Sequence, residues 1–113
     1  MTYSFAQHND TTQVLSVQNL LNEYDNKQLL QEVYGFLDRG FHNFVVDLSN
    51  AEFMNSVGLN FLISIMTRSQ EVGGNLALAN APDQVVNLLE VTKLKPLIKL
   101  SPSVVAAVDA LNE

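Results

Sequence analysis

Phe44-Val45-Val46-Asp47-Leu48 followed by Phe53-Met54-Asn55-Ser56-Val57-Gly58-Leu59 decides the reading of this chain. The first run is too short for an independent helix and rich in β-branched residues, so it predicts a buried central strand ending at Ser49-Asn50. The second run leads into an amphipathic stretch through Met66 that predicts a helix from about Ser56 to Gln70. Ser56 therefore stands at a strand-to-helix junction, where free backbone N–H groups and the helix dipole favour an added phosphate. Two local roles fit it: Ser56 caps the helix itself, or Asn55 is the cap and Ser56 the first helical residue.

Working outward, Tyr3 and Phe5, then Val14, Leu15 and Val17, flank the turn-forming Asn9-Asp10-Thr11-Thr12 and predict a hairpin. Leu29, Leu30, Val33, Phe36 and Leu37 recur at helical spacing, with Asp25 or Asn26 as cap and Gly40 as the stop. On the other side, Gly73-Gly74 ends the central helix, and Asn75 to Ala79 alternates as a strand does. Pro82-Asp83 opens a third helix through Glu90, with Pro82 at its first position. Leu97 to Leu100 is the last strand expected, and a terminal helix follows with Ser101 as N-cap and Pro102 at the first turn. The order β-β-α-β-α-β-α-β-α predicts one α/β domain over residues 1–113, a mixed sheet with helices packed against it.

Composition bounds the function. A chain of 113 residues with a 47% hydrophobic fraction has material for one core. Its net charge of −6 opposes nonspecific attraction to nucleic acid or anionic membranes, so proteins are the expected partners. Without cysteine there is no disulfide, thiolate nucleophile or thiolate metal site. No signal-peptide pattern opens the sequence and no apolar run approaches a membrane span, so a cytoplasmic, soluble protein is expected.

Phe53-Met54-Asn55-Ser56-Val57-Gly58-Leu59, with Gly73-Gly74-Asn75-Leu76-Ala77-Leu78 and Val86-Asn87-Leu88-Leu89-Glu90-Val91-Thr92-Lys93-Leu94, resembles the bacterial anti-sigma factor antagonists, the stand-alone STAS domains. The similarity is strongest from Phe44 to Leu100 and weak before Asp25. The resemblance implies that Ser56 is phosphorylated by a partner that is both anti-sigma factor and serine kinase. It also implies release of the antagonist by that phosphate and resetting by a PP2C-type phosphatase, so that transcription is governed by partner switching. The chain would be a kinase substrate and not an enzyme, with no cofactor of its own and a monomeric free state. Met54, Asn55, Ser56, Val57 and Gly58 are the expected contact residues.

Two positions depart from the family pattern. Asn55 stands where an Asp is usual, keeping the hydrogen-bonding shape without the charge, and Val57 replaces a hydroxyl residue, leaving Ser56 as the acceptor in the motif. The family's Gly-Glu-Leu/Ile-Asp segment has no clean match between Asn19 and Asp25. These departures keep a second reading open: an unphosphorylated STAS accessory or scaffold subunit of a lipid-transport or stress-signalling complex.

The remaining candidates carry less chemistry. Asp47, at the end of the central strand, either shapes the switch loop or makes a loop hydrogen bond, and Glu52 does not complete an acid/base pair with it. His8 and His42 lack metal-ligand spacing and are expected at the surface. Phe53 and Met54 are candidates for an apolar contact patch beside Ser56, with core packing the competing role, and Phe61 is expected in the core. Lys93, Lys95 and Lys99 form a solvated face.

Overall fold

The computed structural model describes residues 3–18, 23–51 and 54–112. Its elements are β1 (Tyr3–Gln7), β2 (Thr12–Val17), α1 (Glu23–Asp38), β3 (Asn43–Asp47), α2 (Ser56–Glu71), β4 (Asn75–Ala79), α3 (Asp83–Val91), β5 (Lys99–Ser101) and α4 (Val104–Leu111), with a 3₁₀ turn over Lys95–Leu97. The strands form one mixed sheet in the order β1-β2-β3-β4-β5. β1 and β2 pair antiparallel, as a short hairpin allows, and every later pairing is parallel across an intervening helix.

Side-chain alternation sorts the sheet into two faces. Phe44, Val46, Leu48, Leu76 and Leu78 point to the main core, where they meet Leu29 and Val33 of α1, Leu62 and Ile65 of α2, and Val85 and Leu89 of α3. Val45, Ala77 and Ala79 point the other way, against Ala107 and Val108 of α4. Large residues on one face and small ones on the other let α4 lie close to the sheet, where it covers what the other three helices leave open.

Glycine ends two of the helices in the same way. Gly40, at φ +97°, closes α1 with its N–H bonded to the Leu37 carbonyl, while the Phe41 N–H reaches Phe36. Gly73, at φ +88°, closes α2 with bonds from Gly73 to Gln70 and from Gly74 to Ser69. Both are Schellman caps, which need a residue at ease in left-handed backbone. The first carries its hydrophobic contact too, with the Phe36 and Phe41 rings 5.6 Å apart.

Four boundaries differ from the sequence reading. α1 already includes Glu23, the first residue described after 19–22, so Asp25 and Asn26 lie within the helix and not at its start. Packing of Leu29 and Val33 outweighs the local preference of Asp and Asn for a helix start. Pro82 is the N-cap of α3 and not its first residue, its carbonyl accepting from Val85 and Val86 at 2.9 and 3.1 Å. The final strand begins at Lys99 because Leu97 belongs to the 3₁₀ turn around Pro96, leaving buried Ile98 to lead into the sheet. Ser101 is taken by that strand, opposite Ala79, and the cap of α4 is Ser103, whose hydroxyl accepts from the Ala106 N–H at 3.1 Å. Of the unmatched stretch before the first helix, residues 19–22 lie outside the described residues.

Candidate functional site

The β3-to-α2 connection leaves the sheet at the C-terminal ends of the parallel strands, the edge at which open α/β sheets place their functional loops. Its first part is tied to the sheet. The Leu48 N–H extends the ladder to the Ala79 carbonyl at 2.9 Å, and Ala51 turns back on Leu48 at 3.0 Å. Asp47 Oδ1 accepts from the Ser49 N–H and from Asn80 Nδ2, both at 3.0 Å. Asp47 is thus a loop-shaping residue, joined across the sheet to a second loop in which Asn80 holds φ +57°.

At the helix end, Asn55 is the cap. Its backbone is extended, and its Oδ1 accepts from the Gly58 N–H at 3.1 Å. One of the orphan donors of the first turn is thereby satisfied, and Asn does this as well as Asp would. Ser56 is the first helical residue and is exposed. No acidic side chain occupies the first turn of α2, so no carboxylate of that turn offsets the positive end of the helix dipole.

The five motif residues divide by burial. Ser56 is exposed and Asn55 and Val57 are half-buried, whereas Met54 is 2% exposed and Gly58 is buried. Met54 is therefore a core residue and its side chain forms no surface patch beside Ser56. Gly58, one of the expected contact residues, is buried and contributes its N–H to the cap. Phe61 is in the core as expected. Glu52 and Phe53 lie outside the described residues.

One contributor is not legible in the sequence. The Gln84 side chain, from α3, bonds both backbone groups of Met54, accepting from the N–H at 2.8 Å and donating to the carbonyl at 2.9 Å. Nothing in the spacing of Met54 and Gln84 announces a contact made through side-chain amide and backbone.

A cavity of about 420 Å³ opens between α1 and α2, with Leu30, Val57 and Phe61 as apolar walls and Lys27, Asn60 and Ser64 as polar ones; Ser56 itself does not line it. The other singled-out residues lie elsewhere. His8 is exposed, His42 is half-buried at the opposite edge of the sheet, and Lys95 pairs with Glu90 at 2.9 Å. Among the described residues no group of three or more His, Asp or Glu side chains is placed to hold a metal ion, and no helix is long and apolar enough to cross a membrane.

This architecture has known counterparts. The chain is 27% identical over 77 residues, 68% of each chain, to a TM1081 homologue from Thermotoga neapolitana provisionally named an anti-sigma factor antagonist. It is 24% identical over 99 residues, 88% of this chain and 85% of the other, to BtrV of Bordetella bronchiseptica, which carries the same provisional name. Among solved structures it superposes on the anti-sigma factor antagonist SpoIIAA in its unphosphorylated form with a TM-score of 0.83, at 16% identity over 96% of this chain and 95% of that one. For phosphorylated SpoIIAA of Bacillus the TM-score is 0.77, at 15% identity over 96% and 98%. The family model of the STAS domain matches residues 3–107, and the chain belongs to that family.

Proposed function

We propose that this protein is an anti-sigma factor antagonist that binds an anti-sigma factor with serine kinase activity and is released when Ser56 is phosphorylated. A PP2C-type phosphatase returns it to the binding form, and sigma-factor-dependent transcription follows the exchange of partners in the cytoplasm. The protein is the substrate of these enzymes and touches no DNA. The observation that carries this reading is the placement of Ser56: exposed, first in α2, and directly after a satisfied cap. The names of its relatives and the two phosphorylation states of SpoIIAA support it.

The electrostatics make such a switch economical. A phosphate adds a charge of about −1.5 to −2 and three acceptor oxygens. At the start of α2 the helix dipole stabilises it by about 0.3–1 kcal/mol, so the fold tolerates the modification. A partner surface fitted to a neutral serine meets desolvation and repulsion, and a loss of about 3 kcal/mol there lowers affinity by about a hundredfold. Asn55 fits the same scheme, because it retains the cap without placing a carboxylate beside the incoming phosphate.

The test is intact mass and phosphosite mapping of the protein from its native cells, with and without phosphatase. One phosphatase-sensitive phosphate on Ser56 is expected. Affinity capture from the same cells should then recover a kinase-bearing partner with wild type and Ser56→Ala, and lose it with Ser56→Asp. Absence of the phosphate across growth and stress conditions, with equal capture by all three proteins, would replace this reading with the constitutive scaffold.

A further inference from the structure

Met54 is held from two sides. Its side chain is buried in the core, and its backbone N–H and carbonyl are both bonded by the Gln84 amide, thirty residues away, at 2.8 and 2.9 Å. A primary amide is the side chain suited to this, since one end accepts and the other donates, as a neighbouring strand would. Neither backbone group of Met54 is spent in a ladder or a helix, so without Gln84 both lose a part-buried partner.

The chain beyond Met54 has little slack. Asn55 is fixed by its bond to the Gly58 N–H, and Ser56 begins the helix. Between the clasped Met54 and the capped turn stands the single residue Asn55, whose backbone links the clasp to the first helical residue. The tether made by Asp47, Ser49 and Asn80 acts at the opposite end of the connection. From this arrangement we infer that Gln84 is a positioning residue for Ser56: its clasp on Met54 holds the acceptor hydroxyl in the geometry that the modifying enzyme requires. The inference rests on the reading of Ser56 as phosphoacceptor and extends the switch to α3, a helix remote from it in sequence.

The test compares full-length wild type with Gln84→Met, which keeps the length of the side chain and loses both bonds, and Gln84→Glu, which keeps the acceptor and loses the donor at neutral pH. Two readouts are taken: amide hydrogen exchange of Met54 and Gly58 on purified protein, and the phosphorylated fraction of Ser56 in native cells. In Gln84→Met the Met54 amide should exchange about tenfold faster or more, the ratio that about 1.4 kcal/mol of lost hydrogen bonding produces, and the Gly58 amide, bonded to Asn55 Oδ1 and not to Gln84, should exchange faster as the turn loosens. The phosphorylated fraction should fall from wild type through Gln84→Glu to Gln84→Met.

A clasp that serves only stability would speed exchange and leave the phosphorylated fraction unchanged, and that result overturns the inference. So does unchanged exchange at Gly58. Should Gln84→Met fail to accumulate as folded protein, Gln84→Glu carries the same comparison. If wild type itself bears no phosphate on Ser56, the phosphoacceptor reading is what fails, an outcome separate from equal phosphorylation of wild type and variants.

Discussion

Gly74 lies so close to His42 that a Cβ built on it would stand 1.6 Å from the His42 carbonyl oxygen. The two chain segments that enter β3 and β4 are pressed together here, and the Asn75 N–H is bonded by Asn43 Oδ1 at 3.2 Å. The adjacent Gly73 differs, with open space around its missing Cβ and φ +88°. Gly74→Ala must move backbone against backbone and should cost more than about 3 kcal/mol, the range of severe overpacking. Gly73→Ala meets only left-handed strain, about 1–2 kcal/mol. Urea denaturation of both variants checks the order; equal losses would contradict it.

The cap at Asn55 is separable from the proposed switch it precedes. Asn55→Ala removes the acceptor for the Gly58 N–H and should lower stability by about 0.5–2 kcal/mol. Asn55→Asp keeps the acceptor and adds charge at the positive end of α2, a gain of about 0.3–1 kcal/mol at neutral pH and low salt. The new carboxyl would have a depressed pKa in the folded state. Its contribution is therefore present above the unfolded value of about 3.9 and lost as pH falls through the lower folded value. Thermal melts at pH 7 and at acid pH, with wild type as reference, test both the gain and its disappearance.

The capped turn is half legible in the sequence. Ser56 and Asn55 are both recognisable as cap residues from type and position, and only the bond from Gly58 distinguishes them. The strand-to-helix step around them is readable because its signals are local: a β-branched run, a cap, then apolar residues at helical spacing. Local signals also mislead where tertiary pairing competes, as at Ser101, which has a cap's chemistry but is drawn into the sheet beside Ala79. The glycine pair reads as backbone freedom, which is right for Gly73, while the steric need at Gly74 depends on a segment more than thirty residues earlier. Gln84 belongs to the same class of information, a side chain whose partner is fixed by the fold and not by spacing.

An alkaline titration should find Tyr3. Its hydroxyl donates to the Glu32 carboxylate, joining β1 to α1, and this bond, with some desolvation and the repulsion of the nearby negative charge, raises the phenol pKa above 10.0. A raised folded-state pKa means that the protonated form is favoured by folding. The contribution is full below the unfolded pKa of about 10 and is lost as pH rises through the folded value. Tyr3→Phe should remove that dependence on alkaline pH and leave melting near pH 7 only slightly changed, because the pair is exposed to solvent. Ultraviolet pH titration of tyrosinate absorbance, compared between wild type and Glu32→Gln, reads the shift directly.

Ser69 is the position at which a single atom is best removed. It sits in α2 with no exposed surface, and among the described residues its Oγ has no hydrogen-bond partner. Its carbonyl accepts from the Gly74 and Val72 N–H groups in the turn that ends the helix, but those bonds use the backbone and survive substitution. Burial of an unsatisfied hydroxyl costs about 1–3 kcal/mol, and alanine has the higher helix propensity by up to about 0.7 kcal/mol. The void left by one oxygen is smaller than that left by a methyl group and offsets only part of this. Ser69→Ala should therefore stabilise the protein by about 1 kcal/mol, raising the urea midpoint with an unchanged m-value. A fall in the midpoint would mean that the hydroxyl is satisfied in solution, by a bound water or by a rotamer that reaches the carbonyl four residues earlier.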